Sequence, residues 1–366
     1  MQEPLEIGIG CKFDSKGSDG EPVTYSELQL RERLDRLPRL RLAALPTPLE
    51  PLDRLSAELG GPRILVKRED LTGLALGGNK IREFEYSVAQ AVEQECDVLV
   101  HGAASQSNQS RVTAAVAARL GLRCVIVGRA DAHARLEGNL LLTHLFGAEI
   151  HLHPAAEQNA ALEMTLNRLR SEGHQPFNTS SDGYPFRSIA YVDGFLEMWD
   201  QLQRRSATPA VVYVATGIHT YLGMVVAARA LGLGDLRFVA VDIATRDAIE
   251  AKQAMAGLAR EICHVLDINL CLEPDDFEIC SDFVGPGYGV VTDEGRQAIE
   301  LTASRDGLIL DPSYTGKAMA ALISHIREGR WAGADDVVFI HTGGIPALFS
   351  YAGDLDLHLD TETVGS

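Results

Sequence analysis

A chain of 366 residues, 46% hydrophobic and 23% charged, is long enough to bury one large or two moderate cores and too apolar to stay disordered. Its formal net charge of −18 argues against a nucleic-acid backbone or an anionic membrane as the main partner, while leaving room for a small anionic substrate. No apolar run approaches the roughly 20 residues that span a bilayer, and Met1-Gln2-Glu3-Pro4 has neither the basic start nor the apolar core of a signal peptide, so a cytoplasmic location is expected.

In chain order, Leu45-Pro46-Thr47-Pro48-Leu49 reads as extended, because its prolines oppose a helix. Ile64-Leu65-Val66 is a strand candidate, followed by a helix from about Lys80 to Gln94. Strand 97–100 precedes a helix through 112–118, and strands at 124–127, 211–214, 238–241 and 337–340 continue the alternation. Near-continuous β-branched runs separated by helices predict an α/β fold whose strands are mostly parallel and covered on both faces. Cysteines at 11, 96, 124, 263, 271 and 280 form no Cys-x-x-Cys pair and suggest neither a zinc nor a disulfide framework. His151 and His153 share one face of a predicted strand but lack a third ligand at sensible spacing, so no metal site is expected. The acidic stretch 354–362 reads as a solvated terminus.

Five segments concentrate polar chemistry beside strand ends. Leu76-Gly77-Gly78-Asn79-Lys80 puts a lysine at a helix start, where the dipole disfavours an ammonium and favours a nucleophilic amine. Ser105-Gln106-Ser107-Asn108 opens the next helix, whose free N–H groups suit a carboxylate. Thr216-Gly217-Ile218-His219-Thr220 follows a strand and suits a phosphate, although its glycine spacing is neither that of a Walker loop nor Gly-x-Gly-x-x-Gly. Asp311-Pro312-Ser313-Tyr314-Thr315 and His341-Thr342-Gly343-Gly344 complete the set. Singly, each is better read as a capped helix start or a glycine turn.

Together, Gly-Gly-Asn-Lys at 77–80, Gln-Ser-Asn at 106–108, Gly-Tyr-Gly at 287–289, Asp-Pro-x-Tyr at 311–314 and His-x-Gly-Gly at 341–344 resemble the family of D-cysteine desulfhydrase and 1-aminocyclopropane-1-carboxylate deaminase. The resemblance runs from about Leu45 to Tyr351. It implies a pyridoxal 5'-phosphate enzyme of fold type II, like the tryptophan synthase β chain. A small domain at 83–190 would be inserted into a large cofactor-binding domain formed by 1–82 and 191–366. It implies that Lys80 forms the Schiff base, with Asn79 beside it and Asn108 near the ring hydroxyl. Ser107, Tyr288 and Tyr314 would be catalytic, and Ser105, Gln106, Ser107, Asn108, Tyr288 and Tyr314 would surround a small amino-acid substrate. The phosphate would sit on Thr216, Gly217, Ile218, His219 and Thr220, and a homodimer is the implied assembly.

Within that family the deaminase branch has Glu after the Asp-Pro-x-Tyr tyrosine and Leu before the last Gly-Gly. This chain has Thr315 and Thr342, like the desulfhydrase branch, so one of these hydroxyls is expected to face the pyridine nitrogen. The implied reaction is β-elimination from a small amino acid, giving a 2-oxo acid, ammonia and sulfide. Cysteate sulfo-lyase, hydroxy-amino-acid dehydratase, amino-acid racemase and 1-aminocyclopropane-1-carboxylate deaminase stand as alternatives, and a catalytically silent ligand-binding homologue as the non-enzymatic one. Three departures bear on substrate and cofactor: Ile218-His219 in the phosphate turn, Glu83 where relatives often carry lysine, and Ser180-Ser181-Asp182-Gly183-Tyr184 where many are glycine-rich.

Overall fold

Ten strands form in the computed structural model, which describes residues 23–356. They are β1 (Leu49–Pro51), β2 (Arg63–Lys67), β3 (Val98–Ala103), β4 (Arg123–Arg129), β5 (Glu149–His153), β6 (Pro176–Asn178), β7 (Pro209–Thr216), β8 (Arg237–Asp242), β9 (Glu278–Cys280) and β10 (Asp336–Ile340). One sheet has the order β1-β2-β10-β7-β8-β9 and the other β5-β4-β3-β6. All pairings are parallel except β1 with β2, where the proline-rich opening adds a short antiparallel edge. The second sheet is built wholly from residues that lie between β2 and β7 in sequence.

The central strands are apolar at nearly every position because helices cover both faces of each sheet. All of β10 is buried, as are Val211, Val212, Tyr213 and Val214 of β7. Among the described residues, no helix is long and apolar enough to cross a membrane. Among the described residues, Cys96, Cys124, Cys263, Cys271 and Cys280 form no disulfide, and Cys11 lies outside those residues, as does the stretch beyond 356. His151 is exposed and bonded to Glu149 at 2.7 Å.

Helix Asn79–Glu93 runs through the interior and buries charge as well as apolar surface. Arg82 is fully buried and meets Glu69 through two bonds, at 2.8 and 2.9 Å, and Glu197 through another at 3.1 Å. Lys67 at the end of β2 joins the same network through Glu197 and the Thr47 carbonyl. This lattice fixes the helix between β2 and helix Phe186–Arg204, and so fixes where its first turn points.

The network sets a pH dependence. Burial alone would raise the Glu69 carboxyl, but Arg82 and then Lys67 outweigh it and hold the pKa down at about 2, against 4.5 when exposed. A carboxylate depressed on folding contributes stability above its unfolded pKa and loses it as pH falls. Glu69 should therefore contribute on the order of 3 kcal/mol above about pH 4.5, lost progressively as the pH falls through 2. Urea denaturation across that window checks this: Glu69→Gln should lose less stability on acidification than the wild type. Equal losses would show that Glu69 is not the titrating group.

Candidate active site

Paired glycines in the first and last motifs have a steric cause. Gly77 and Gly343 have φ of 69° and 94°, which residues with a Cβ rarely adopt. A Cβ on Gly77 would fall 1.8 Å from the Asp70 carbonyl oxygen, and one on Gly343 would fall 2.7 Å from Gly78 Cα. The two loops can touch only backbone to backbone, and the Asn79 amide then donates to the Thr342 carbonyl at 3.0 Å. Lys80, in the first turn of helix Asn79–Glu93, and Thr342, just beyond β10, thus reach the same cavity.

That cavity holds about 460 Å³ and lies at the carboxyl ends of the parallel strands, where α/β sheets place ligands. His101 and Gly102 approach it from β3, Ala215 and Gly217 from the end of β7, and Ile243 and Ala244 from beyond β8. Lys80, Arg129 and Arg187 line it, whereas no lining residue carries a carboxylate. A chain of net charge −18 therefore presents a cationic wall here.

Lys80 Nζ donates to Glu83 Oε1 at 2.7 Å. Burial lowers the amine's pKa, and Glu83 opposes that effect. Glu83 is itself fully buried behind the cavity wall, and its other oxygen accepts Arg187 Nε at 2.9 Å and Nη2 at 2.8 Å. Arg187 also donates to Gln109 Oε1 at 2.8 Å. Asn79 Nδ2 donates to Thr220 Oγ1 at 3.0 Å, which fastens the lysine turn to helix His219–Ala230. That helix starts without a side-chain cap.

Across the cavity, the Tyr288 and Tyr314 hydroxyls bond at 2.8 Å with their rings edge to face. Burial pushes the Tyr288 phenol up to about 12, and burial with Tyr288 beside it raises Tyr314 further. Both are proton-bearing at neutral pH. Asp311 places Tyr314: one carboxylate oxygen accepts the Ser313 and Tyr314 amides, the other the Thr315 amide and hydroxyl, at 2.7–2.9 Å. The Asp-Pro-x-Tyr motif is thus a carboxylate-capped turn that opens helix Thr315–Arg327.

The residues singled out from sequence separate into two groups. Asn79, Lys80, Ser107, Asn108, Gly217, His219, Tyr288, Tyr314 and Thr342 line the cavity. Ser107 caps helix Asn108–Leu120 by accepting the Ser110 amide at 3.2 Å, which leaves its own hydroxyl proton to donate. Thr315 does not line the cavity, because Asp311 claims its hydroxyl. Ser105 and Gln106 also turn away: Ser105 bonds Asp131, and Gln106 bonds the His133 carbonyl and the Asn139 amide. Thr220 stands behind the wall, tied to Asn79, and Ile218 is the N-cap of its helix, at φ 102°. Thr216 closes β7 opposite Asp242.

Of the Ser180–Tyr184 departure, Ser180 and Tyr184 reach the cavity, whereas Asp182 accepts the Asn178 amide at 2.8 Å and shapes the loop. Tyr184 packs its ring 4.5 Å from His219 and covers Arg187. Sequence reasoning missed Arg187, His101 and Arg129. Their one available signal was polarity next to strand ends and to the departing loop, as in Phe186-Arg187-Ser188.

The family profile described as pyridoxal-phosphate dependent enzyme matches residues 40–343. D-cysteine desulfhydrase of Salmonella newport is 38% identical over 325 residues, 87% of this chain and 97% of that protein. The crystal structure of an ACC deaminase homologue superposes with a TM-score of 0.79 at 31% identity, covering 89% of this chain and 98% of the other. Diaminopropionate ammonia lyase of Escherichia coli shares the fold, at a TM-score of 0.65 and 16% identity over 91% of each chain.

Proposed function

Since the chain belongs to the pyridoxal-phosphate dependent enzymes, we propose that it releases hydrogen sulfide from D-cysteine, which with water leaves pyruvate and ammonia. The observation that carries this reading is the single cavity shared by Lys80, Ser107, Thr342 and two protonated phenols, with no carboxylate on its wall.

The residues present fit an anionic aldehyde cofactor. Lys80 offers an amine whose charged form burial disfavours, and the uncapped helix start at 217–220 offers backbone donors for a phosphate. Glu83 opposes an anion near Thr220, and Arg187, which lines the cavity, offsets its charge. Asn79, Asn108 and Thr342 would complete the cofactor's surroundings. Bound there, pyridoxal phosphate supplies an electron sink for the pair left on the substrate Cα.

The protein's own groups then divide the labour. Lys80 takes the Cα proton. Ser107 and the amides that open helix Asn108–Leu120 receive the substrate carboxylate. Tyr288 and Tyr314 hold a proton for the departing sulfur, and the bond between them lets one phenol replenish the other. Thr342 offers only a neutral hydroxyl, which suits expulsion of a good leaving group better than opening of a carbon ring. The homodimer expected of the family accompanies this reading, and so does a cytoplasmic location.

A screen of D-cysteine, L-cysteine, L-cysteate and aminocyclopropane carboxylate tests it. Sulfide and 2-oxo acid should appear in equal amounts and fastest from D-cysteine. Sulfite from cysteate, enantiomer without 2-oxo acid, or ring opening as fast as sulfide release would each overturn the assignment.

A further inference from the structure

Glu83 is buried in direct contact with the lysine of the site, 2.7 Å from its Nζ. We propose that Glu83 is a positioning residue for Lys80: its carboxylate, clamped by Arg187, is the counter-charge for the proton that Lys80 takes from the substrate. This rests on Lys80 being the cofactor lysine.

Four ionisable groups on four elements influence Lys80. Glu83 is on its own helix, Arg187 on helix Phe186–Arg204, His219 on helix His219–Ala230 and His101 on β3. Burial lowers both histidines, His101 to about 3, so both are neutral and add no charge. Arg187 disfavours a second cation, which leaves Glu83 as the anion in contact with Lys80. Its geometry is held by Arg187 on one oxygen and by Lys80, with Asn79 at 3.3 Å, on the other.

The arrangement answers a conflict in what the lysine must do. Burial favours the neutral, basic form of the amine, yet after the Cα–H bond breaks the same burial would penalise the ammonium. Breaking that bond leaves its electron pair on Cα and forms an N–H bond on Lys80. Glu83 stays ionised throughout, and its attraction grows as positive charge develops 2.7 Å away. A fixed carboxylate behind the amine thus stabilises the transition state more than the ground state.

Two measurements on Glu83→Gln test this. In the holoenzyme, the acid limb of the pH–rate profile should move down by about one to three pH units, while the plateau falls on the order of 10²-fold. In the cofactor-free full-length chain, acetylation of Lys80 by acetic anhydride, followed by peptide mapping, should show the amine titrating correspondingly lower. Should that variant not fold, Glu83→Gln with Arg187→Gln removes the buried cation as well. Lys80 should still titrate lower there, because Glu83 is the nearer and stronger influence. A plateau loss with the limb and the acetylation titration unmoved would mean a structural role only and overturn the proposal. Acetylation reads Glu83 without the cofactor, so it stands apart from any failure of the Lys80 assignment.

Discussion

Replacing Lys80 by alanine is expected to lower turnover roughly 10³-fold or more, since on the proposed reading the same amine would both hold the cofactor and move the proton. The fold should survive. Glu83 loses one partner but keeps two bonds from Arg187 and one from Asn79, so no buried carboxylate is orphaned. Thermal denaturation should therefore show a small shift, and sulfide release from D-cysteine should be nearly absent. The visible colour of bound cofactor should also be lost. Turnover within tenfold of wild type would mean that another lysine does the chemistry.

The second large effect is expected at Thr315, through stability rather than chemistry. Asp311 is fully buried, and burial raises its pKa against the bonds it accepts from Thr315, Tyr314 and Ser313. Thr315→Glu would set a second carboxylate against it, and the Lys317 ammonium that feels Asp311 is already bonded to the Val284 and Gly287 carbonyls, so the cost is about 3–5 kcal/mol. Thr342→Glu instead puts the carboxylate on the cavity wall and should impair sulfide release while leaving the fold largely intact. Denaturation and D-cysteine kinetics on the two variants separate these cases. A stable Thr315→Glu protein with altered substrate preference would contradict the placement of Thr315 behind Asp311.

This pair of threonines shows where sequence stops being enough. Both stood at family positions that distinguish branches, and only the fold reveals which hydroxyl a neighbour has already claimed. The same holds for Ser105 and Gln106: they belong to the motif with Ser107 and Asn108, yet their side chains brace the 131–139 segment. A motif records a local backbone, and alternate side chains along it point to different places.

The long parallel strands were legible because burial on both faces writes itself as an uninterrupted apolar run, as in Val337-Val338-Phe339-Ile340. The three-residue strands β1, β6 and β9 carry no such run and are set by their neighbours. Arg187 was illegible for a related reason. A charged residue reads as solvent-facing in sequence, and its burial depends on Glu83 and Gln109, which lie 104 and 78 positions away in the chain. Glu83 stood out from the sequence only as a departure, and the structure sets it among Lys80, Arg187 and Asn79.

The central claim is that Lys80 carries the cofactor. Borohydride reduction of the purified holoprotein, followed by peptide mapping, tests it most directly. A single reduced adduct is expected, on Lys80. An adduct on Lys67, Lys317 or any other lysine would contradict it.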